Sequence, residues 1–195
     1  NYRGSTGFGL GFQDSIKKEG WGGSEQEDIL SGIRALIAQG IAEPGKVGIT
    51  GTSYGGYSSW HAITHAPEEL VRAAAPICGM TDLVVDYYST RPDLRGYSEE
   101  MLGGTPEQVP EKYHDRSPIN FVHNIVGKLL IVQGAMDPNV TPENVTAVEV
   151  ALKKHQIEYE LLLFPDEGHG IYREYNIETL LRRLVQFFGD AFGEK

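Results

Sequence analysis

The sequence predicts an α/β protein in which a mostly parallel sheet carries helices on both faces. Short apolar runs alternate with longer segments whose apolar residues recur at helical spacing, and this alternation is typical of successive strand–helix units. The chain has 195 residues, of which 40% are hydrophobic and 23% charged, so it is long enough to bury a core. We therefore expect residues 1–195 to form a single domain.

The first predicted helix and strand lead into a glycine-rich turn. Ser24 and Glu27 have the spacing of a capping box, which predicts that a helix begins at Ser24, and Gly40 ends it. A strand over 46–50 follows this helix. The apolar stripe of the helix comprises Ile29, Leu30, Ile33, Leu36 and Ile37.

Three more strands are predicted downstream, which makes about four in all. A helix over 55–66 stops before Pro67, and a strand over 72–77 follows. Residues 81–124 show poor periodicity and are rich in Tyr, Arg, Pro and Gly, so we expect an irregular excursion with short helices. The remaining predicted elements are a strand over 129–133, a helix from Thr141-Pro142, a strand over 159–164 and a final helix carrying Ile177, Leu180, Leu181, Leu184, Phe187 and Phe188.

Ser53 lies in the segment Gly51-Thr52-Ser53-Tyr54-Gly55, directly after the predicted strand and before a predicted helix. A G-x-S-x-G sequence in this context is the nucleophile elbow of serine hydrolases. There a tight turn flanked by glycines holds the serine hydroxyl where a substrate can reach it. The pentapeptide alone is a weak signal in a chain with 24 glycines, so its partners must support it.

A serine hydroxyl becomes a nucleophile only when a base takes its proton, and an acid must orient that base. In the α/β-hydrolase fold the acid and the base follow the serine in that order, each on a loop after a later strand. Asp137 follows the strand over 129–133, and His169 follows the strand over 159–164. The order predicts an α/β-hydrolase with Ser53, Asp137 and His169 as its triad. Asp82 and Asp86 are weaker alternatives for the acid.

Several separated motifs, in register along the whole chain, resemble serine peptidases of the prolyl oligopeptidase family. The Ser-Tyr-Gly-Gly-Tyr form is closest to the dipeptidyl-peptidase and acylaminoacyl-peptidase branches. The matching segments are Asn1-Tyr2-Arg3-Gly4-Ser5-Thr6-Gly7-Phe8-Gly9, Trp21-Gly22-Gly23, Gly51-Thr52-Ser53-Tyr54-Gly55-Gly56-Tyr57, Ser117-Pro118-Ile119-Asn120, Gln133-Gly134-Ala135-Met136-Asp137 and Asp166-Glu167-Gly168-His169-Gly170.

The resemblance implies a role for each site residue. Ser53 would be the nucleophile, His169 the base and then the acid, and Asp137 the carboxylate that orients the imidazole. The backbone N–H of Tyr54 would donate to the oxyanion. In dipeptidyl-peptidase relatives the aspartate is followed by Asp-Asn-Val, and here by Pro138-Asn139-Val140, so Asn139 would hold a substrate carbonyl. The candidates for the pocket of the acyl-side residue (P1) are Tyr54, Tyr87, Tyr88 and Val140.

Two features of the family are absent from this sequence. The His-Gly-Gly-Pro-like segment that helps to build the oxyanion hole is not present, and neither is the N-terminal β-propeller that admits only short peptides. A complete α/β-hydrolase sheet also has several strands before the nucleophile. The resemblance therefore implies a partial catalytic domain, lacking its N-terminal strands, of a longer serine peptidase that cleaves short peptides through an acyl-enzyme. A carboxylesterase on the same fold and a non-catalytic assembly module remain alternatives.

The amino-acid composition argues against several classes of binding partner. A net charge of −10 disfavours nucleic acid and anionic membranes, which recruit basic surfaces. Cys78 is the only cysteine, so neither an intrachain disulfide nor a cysteine-based zinc cluster can form, and we expect no metal or cofactor. The sequons at Asn139 and Asn144 lie near the predicted triad, and we interpret them as coincidental. We expect a cytoplasmic protein whose partners are peptide substrates, the missing N-terminal part and a possible second copy of the chain.

Overall fold

Four parallel strands in the order β1-β2-β3-β4 form the sheet of the computed structural model, which describes residues 1–193. The strands are β1 (Gly48–Thr52), β2 (Ala73–Ile77), β3 (Lys128–Gly134) and β4 (Glu160–Phe164). Ile49 lies opposite Ala74 across the first pair, and Val132 lies opposite Leu162 across the last. All three pairings are parallel, which confirms the predicted α/β class.

Helices connect the strands and also form the predicted excursion. The α-helices are α1 (Leu10–Asp14), α2 (Ser24–Ala38), α3 (Tyr54–His65), α4 (Leu83–Ser89), α5 (Pro92–Leu102), α6 (Pro110–Asp115), α7 (Glu143–Lys154) and α8 (Glu174–Phe192). Helices α4 to α6 and a 3₁₀ helix over Pro118–Asn124 occupy the segment between β2 and β3 that the sequence marks as irregular. In the described part of the chain, no helix combines the length and the apolar character that a membrane span requires.

The two faces of the sheet are covered by different helices because successive strand residues point to opposite sides. Ile131 packs with Leu30 of α2 and Val148 of α7 on one face. Its neighbour Val132 packs with Phe187 of α8 on the other face. This division explains why β2 and β3, which lie between covered faces, are almost continuously apolar.

A third cluster of buried side chains lies beneath the excursion. It joins Trp21, which precedes α2, to Tyr57 of α3, Leu83 and Tyr87 of α4 and Tyr113 of α6. This cluster anchors the irregular segment to the helix that follows β1.

The start of α2 differs from the predicted capping box. Gly23 is the N-cap residue, and Ser24 is already helical and makes no capping hydrogen bond. Two carboxylates accept from backbone N–H groups there instead: Glu25 Oε1 from Gly22 N at 2.6 Å and Glu19 Oε2 from Ser24 N at 3.1 Å. The helix begins where it was expected, but the Glu19 carboxylate rather than the serine hydroxyl accepts from a free N–H group of its first turn, and Glu25 binds the turn before it.

Candidate active site

Ser53 occupies the sharp turn between β1 and α3, with φ 60° and ψ −116°. Close backbone contacts around this turn require glycine. A Cβ at Gly51 would lie 2.8 Å from the backbone of Gly55, and a Cβ at Gly56 would lie 2.7 Å from Gly79 Cα. The N–H of Ser53 still donates to Ile77 O of β2 at 2.9 Å, so the sheet fixes the serine's position to the end of the strand. This geometry is the strained elbow that the sequence predicts.

Ser53, His169 and Asp137 form one continuous hydrogen-bonded chain. His169 Nε2 lies 2.8 Å from Ser53 Oγ, and His169 Nδ1 lies 2.9 Å from Asp137 Oδ2 and 3.1 Å from Asp137 Oδ1. The three residues follow β1, β4 and β3, whose carboxyl ends meet at one edge of the sheet. A nucleophile, a base and an orienting acid would require this geometry.

The Asp137 carboxylate is fixed by more than the imidazole, and its side chain is fully buried. Its Oδ1 accepts from the backbone N–H groups of Asn139 at 2.8 Å and Val140 at 3.1 Å. Gln133 Nε2 donates to its Oδ2 at 3.4 Å. The loop after β3 therefore holds the acid rigidly.

The two alternative acids have other roles. Asp82 caps α4, because its Oδ1 accepts from Val84 N at 2.9 Å and Val85 N at 3.1 Å. Asp86 accepts from Asn144 Nδ2 at 3.2 Å. Neither carboxylate forms a hydrogen bond with His169 in the described part of the chain.

Tyr54 is the first residue of α3, so its N–H has no partner within the helix and lies beside Ser53. Its hydroxyl donates to Glu25 Oε1 at 2.8 Å. Burial, together with the charge of Glu25, raises the pKa of Tyr54 far above its ordinary value, so the phenol stays protonated. A buried carboxylate at the start of α2 thus fixes the side chain of the residue whose backbone would face an oxyanion.

A cavity of about 200 Å³ opens beside the triad. Its lining includes Ser53 and His169, together with the predicted pocket residues Tyr54, Asn139 and Val140. The side-chain oxygen of Asn139 is buried and has no hydrogen-bond partner among the described residues.

Tyr87 and Tyr88 are not among the residues that line this cavity. Tyr87 is buried and donates to Glu99 at 2.6 Å, whereas Tyr88 is half-exposed and donates to Glu107. Successive helical residues point about 100° apart, so α4 presents Asp86 to the cavity and directs the two tyrosines elsewhere.

Sequence reasoning overlooked six lining residues: Trp21, Met80, Thr90, Leu94, Tyr97 and Ser98. It considered Asp86 only as an alternative triad acid. These residues come from separate segments, and no local pattern relates them to Ser53. A signal was present only for Trp21, which lies within a family motif.

Cys78 is fully buried close to Asp137 and His169. One ligand atom from each of Cys78, Asp137 and His169 lies within 4.8 Å of the others. Burial raises the pKa of the Cys78 thiol to about 11, so it is protonated at neutral pH and is a poor metal ligand. Because Asp137 and His169 are already hydrogen-bonded to each other, their side chains suit proton transfer better than metal binding.

The whole chain, residues 1–195, matches the peptidase family described as the prolyl oligopeptidase family. Dipeptidyl peptidase family member 6 of Caenorhabditis elegans is 32% identical over 197 residues, covering 95% of this chain and 26% of that protein. Dipeptidyl aminopeptidase BIII of Pseudoxanthomonas mexicana is also 32% identical over 197 residues, covering 99% of this chain and 28% of that protein. The chain thus spans about a quarter of the length of these relatives.

A solved structure, that of a puromycin-hydrolyzing peptidase of Mycobacterium tuberculosis, superposes on this fold with a TM-score of 0.93. The two are 29% identical, and the match covers 100% of this chain and 29% of the other. This likeness confirms the predicted α/β-hydrolase fold.

Proposed function

The chain belongs to the prolyl oligopeptidase family, and we propose that it is a serine peptidase that hydrolyses short peptides through Ser53, His169 and Asp137. The observation that supports this most strongly is the unbroken hydrogen-bonded chain from Ser53 Oγ through His169 to Asp137. The elbow conformation of Ser53 adds to it, because that strained backbone exposes the hydroxyl.

Acylation begins when Ser53 Oγ attacks the carbonyl carbon of the scissile peptide bond and passes its proton to His169 Nε2. The carbonyl oxygen becomes an oxyanion, to which the N–H of Tyr54 donates. His169 then gives the proton to the leaving amine as the C–N bond breaks. Throughout, Asp137 accepts a hydrogen bond from Nδ1–H of His169, which leaves Nε2 free to receive the proton.

Deacylation repeats these steps with water as the nucleophile. His169 Nε2 takes a proton from the water, whose oxygen bonds to the acyl carbon. The ester bond to Ser53 Oγ then breaks, and His169 returns the proton to that oxygen. A free carboxylic acid leaves, and the triad is restored.

The substrate class is proposed from the relatives, whose names describe dipeptidyl peptidases and a peptidase that hydrolyses puromycin. All three names describe peptidases, and short peptides are the substrate class that we propose for this chain. The small cavity beside Ser53 has room for little more than one side chain.

The test is covalent labelling followed by turnover. A fluorophosphonate should modify Ser53 alone, and Ser53→Ala should abolish both labelling and hydrolysis of aminoacyl-naphthylamides. Ser31→Ala, on the exposed face of α2, is the matched control and should change neither. An adduct on another serine would overturn the assignment. Efficient turnover of p-nitrophenyl acyl esters without any amide hydrolysis would favour an esterase.

A further inference from the structure

The cavity beside the triad is placed to hold the side chain of the acyl-side residue. Ser53 and His169 both line it, so a substrate whose carbonyl carbon contacts Ser53 Oγ directs its neighbouring side chain into this space. At about 200 Å³ the cavity accommodates one side chain. Whatever lies at its wall therefore selects among substrates.

Among the described residues that line the cavity, Asp86 has the only carboxylate, and it is 5% exposed. Its Oδ1 accepts from Asn144 Nδ2 at 3.2 Å. The orientation of the Asn144 amide is fixed, because its Oδ1 accepts from Thr81 N at 3.1 Å. In residues 1–193 no donor bonds to the second oxygen of Asp86, and no Lys or Arg pairs with the carboxylate. An ionised carboxylate that is buried without a cation is costly, so a cation brought by a ligand would stabilise it.

Thr90, Ser98 and Asn139 are polar members of the wall, and its aromatic and apolar members suit an aliphatic chain that ends in a cation. Trp21, Tyr54 and Tyr97 form an aromatic side of the cavity, with Trp21 5.8 Å from Tyr54 and 5.3 Å from Tyr97 between ring centroids. Aromatic faces attract ammonium and guanidinium groups. The apolar side consists of Met80, Leu94 and Val140. Lysine and arginine side chains are bound in this way, with the apolar stem against such residues and the charged end at a carboxylate such as Asp86.

We propose that Asp86 makes this cavity a subsite for a positively charged acyl-side residue, lysine or arginine, and so sets the specificity of the peptidase. The proposal rests on the proposed function, because it assumes that Ser53 attacks the carbonyl of the residue seated there. Asp86 binds the substrate cation with its free oxygen, while Asn144 holds the other oxygen in place.

The charge of Asp86 depends on pH in a way that the specificity should follow. Burial above all raises its pKa to about 7, the nearby charges of Asp137 and Asp82 raise it further, and Asn144 and His169 act in the opposite direction. A cation binds only the ionised form. The preference for a basic residue over an uncharged one should therefore rise as the pH passes through about 7. Both substrates need His169 as the base, so the ratio of their kcat/KM values cancels the pH dependence that comes from His169.

The experiment compares naphthylamides of Nα-acetyl-lysine and Nα-acetyl-norleucine, which differ mainly in the terminal ammonium. We expect kcat/KM to favour lysine by about 10- to 100-fold, the contribution of one charge-assisted hydrogen bond. Asp86→Asn should bring this ratio close to one. Asp93→Asn, which removes an exposed carboxylate near Arg91, is the control and should leave the ratio unchanged. Equal turnover of the two substrates, or the same ratio in Asp86→Asn, would overturn the proposal.

A second comparison tests which substrate cation Asp86 binds. The α-ammonium group of a free amino terminus has the same charge as a lysine side chain and could bind the same carboxylate. Leucine naphthylamide is measured against Nα-acetyl-leucine naphthylamide. If Asp86→Asn affects this pair and leaves the lysine preference intact, the carboxylate binds the substrate's amino terminus and the side-chain assignment is wrong.

A binding measurement tests the subsite independently of peptide hydrolysis. Nα-acetyl-lysine amide and Nα-acetyl-norleucine amide are titrated calorimetrically into the Ser53→Ala protein. Tighter binding of the lysine amide, lost when Asp86→Asn is added, supports the subsite even if no amide is hydrolysed and the proposed function fails. Equal binding of the two amides overturns the subsite, although Ser53 labelling could still support the peptidase.

Discussion

Ser53 has a backbone conformation that L-residues rarely adopt, with φ 60° and ψ −116°. Such conformations cost about 1–3 kcal/mol each and persist where the surroundings enforce them. Here the enforcement comes from the bond between Ser53 N and Ile77 O and from the start of α3 immediately after the serine. The strain is the physical cost of exposing the hydroxyl.

We expect Ser53→Gly to be more stable than Ser53→Ala by about 1 kcal/mol. Both variants lose the same hydroxyl, but only glycine adopts a positive φ without strain, and this gain exceeds its extra chain entropy. Thermal unfolding monitored by circular dichroism measures the difference. If the alanine variant is equally stable or more stable, the elbow stores no strain.

Asp137→Asn should lower kcat by up to about 10⁴ while leaving KM nearly unchanged. An asparagine amide facing His169 Nδ1 can donate a hydrogen bond, which favours the tautomer with a hydrogen on Nε2, where the serine proton must go. Steady-state kinetics with an aminoacyl-naphthylamide measure the loss. Asp115→Asn, at an exposed site on α6, is the control. A loss below tenfold would mean that another group orients the imidazole.

Asp86→Asn should stabilise the protein increasingly between about pH 4 and pH 8. The buried carboxyl has a pKa raised to about 7, so the folded state binds a proton that the unfolded chain releases near pH 4. Stability supplied by that proton is complete below the unfolded pKa and is lost as the pH rises through the folded value. The variant does not lose it, and its oxygen can still accept from Asn144.

The expected gain for Asp86→Asn is on the order of 2–4 kcal/mol at pH 8 and near zero at pH 4. Urea unfolding at several pH values measures it. A constant difference across this range would show that Asp86 does not titrate within it.

The meeting of Ser53, Asp137 and His169 could be predicted because each follows a strand and their order along the chain is typical of an α/β-hydrolase. Asp86 could not be predicted as a cavity residue, since nothing in α4 distinguishes its face from that of Tyr87. Only the packing of α4 against Asn144 of α7 decides which side chain meets the cavity. Contacts between distant segments carry this information, and periodicity does not.

The apolar patterns predicted which secondary-structure elements form more accurately than they predicted where each element begins and ends. Strand β1 was predicted over 46–50 and runs over Gly48–Thr52, so that it reaches the elbow. Helix α2 starts at Ser24 as predicted, but the N–H of Ser24 donates to Glu19, because the preceding turn brings that carboxylate within reach. Capping depends on the path of the chain before a helix, which a short motif does not specify.

Gly55 and Gly56, the two adjacent glycines in the first turn of α3, should respond oppositely to alanine. A Cβ at Gly56 would lie 2.6 Å from Ile77 O and 2.7 Å from Gly79 Cα, so Gly56→Ala forces the helix away from β2 and should cost about 1–3 kcal/mol. A Cβ at Gly55 meets nothing within 4 Å. Gly55→Ala should be neutral or stabilise by up to about 1 kcal/mol.

Chemical denaturation of both variants beside the parent tests this pair of glycines. Equal destabilisation would mean that the motif needs glycine for conformation at both positions. The result would then contradict the distinction between a packed and an open glycine.

Across the whole molecule, the parallel sheet explains why residues more than a hundred positions apart meet. Carboxyl ends of neighbouring parallel strands share one edge, and the loops after β1, β3 and β4 deliver the three triad side chains there. The sequence predicts this arrangement from strand order alone. It does not predict the third buried cluster, since Trp21, Tyr57 and Tyr113 are brought together by the irregular path of the segment between β2 and β3.

The outer edge of β1 carries the last prediction, because no strand among residues 1–193 pairs with it. Ser53 N bonds to β2, so the N–H groups that alternate with it, including that of Thr50, point away from the sheet. Unpaired edges invite pairing with another chain. We therefore expect the 195-residue chain to self-associate as its concentration rises, as measured by light scattering.

Two substitutions at Thr50 isolate the edge. Thr50→Val keeps the outward N–H and removes only the hydroxyl that donates to Ala75 O, so it should associate like the parent. Thr50→Pro also removes the N–H and should shift the protein toward monomer, because proline cannot donate to an added strand. A parent chain that stays monomeric at high concentration, or equal association of the two variants, would show that this edge does not mediate contact.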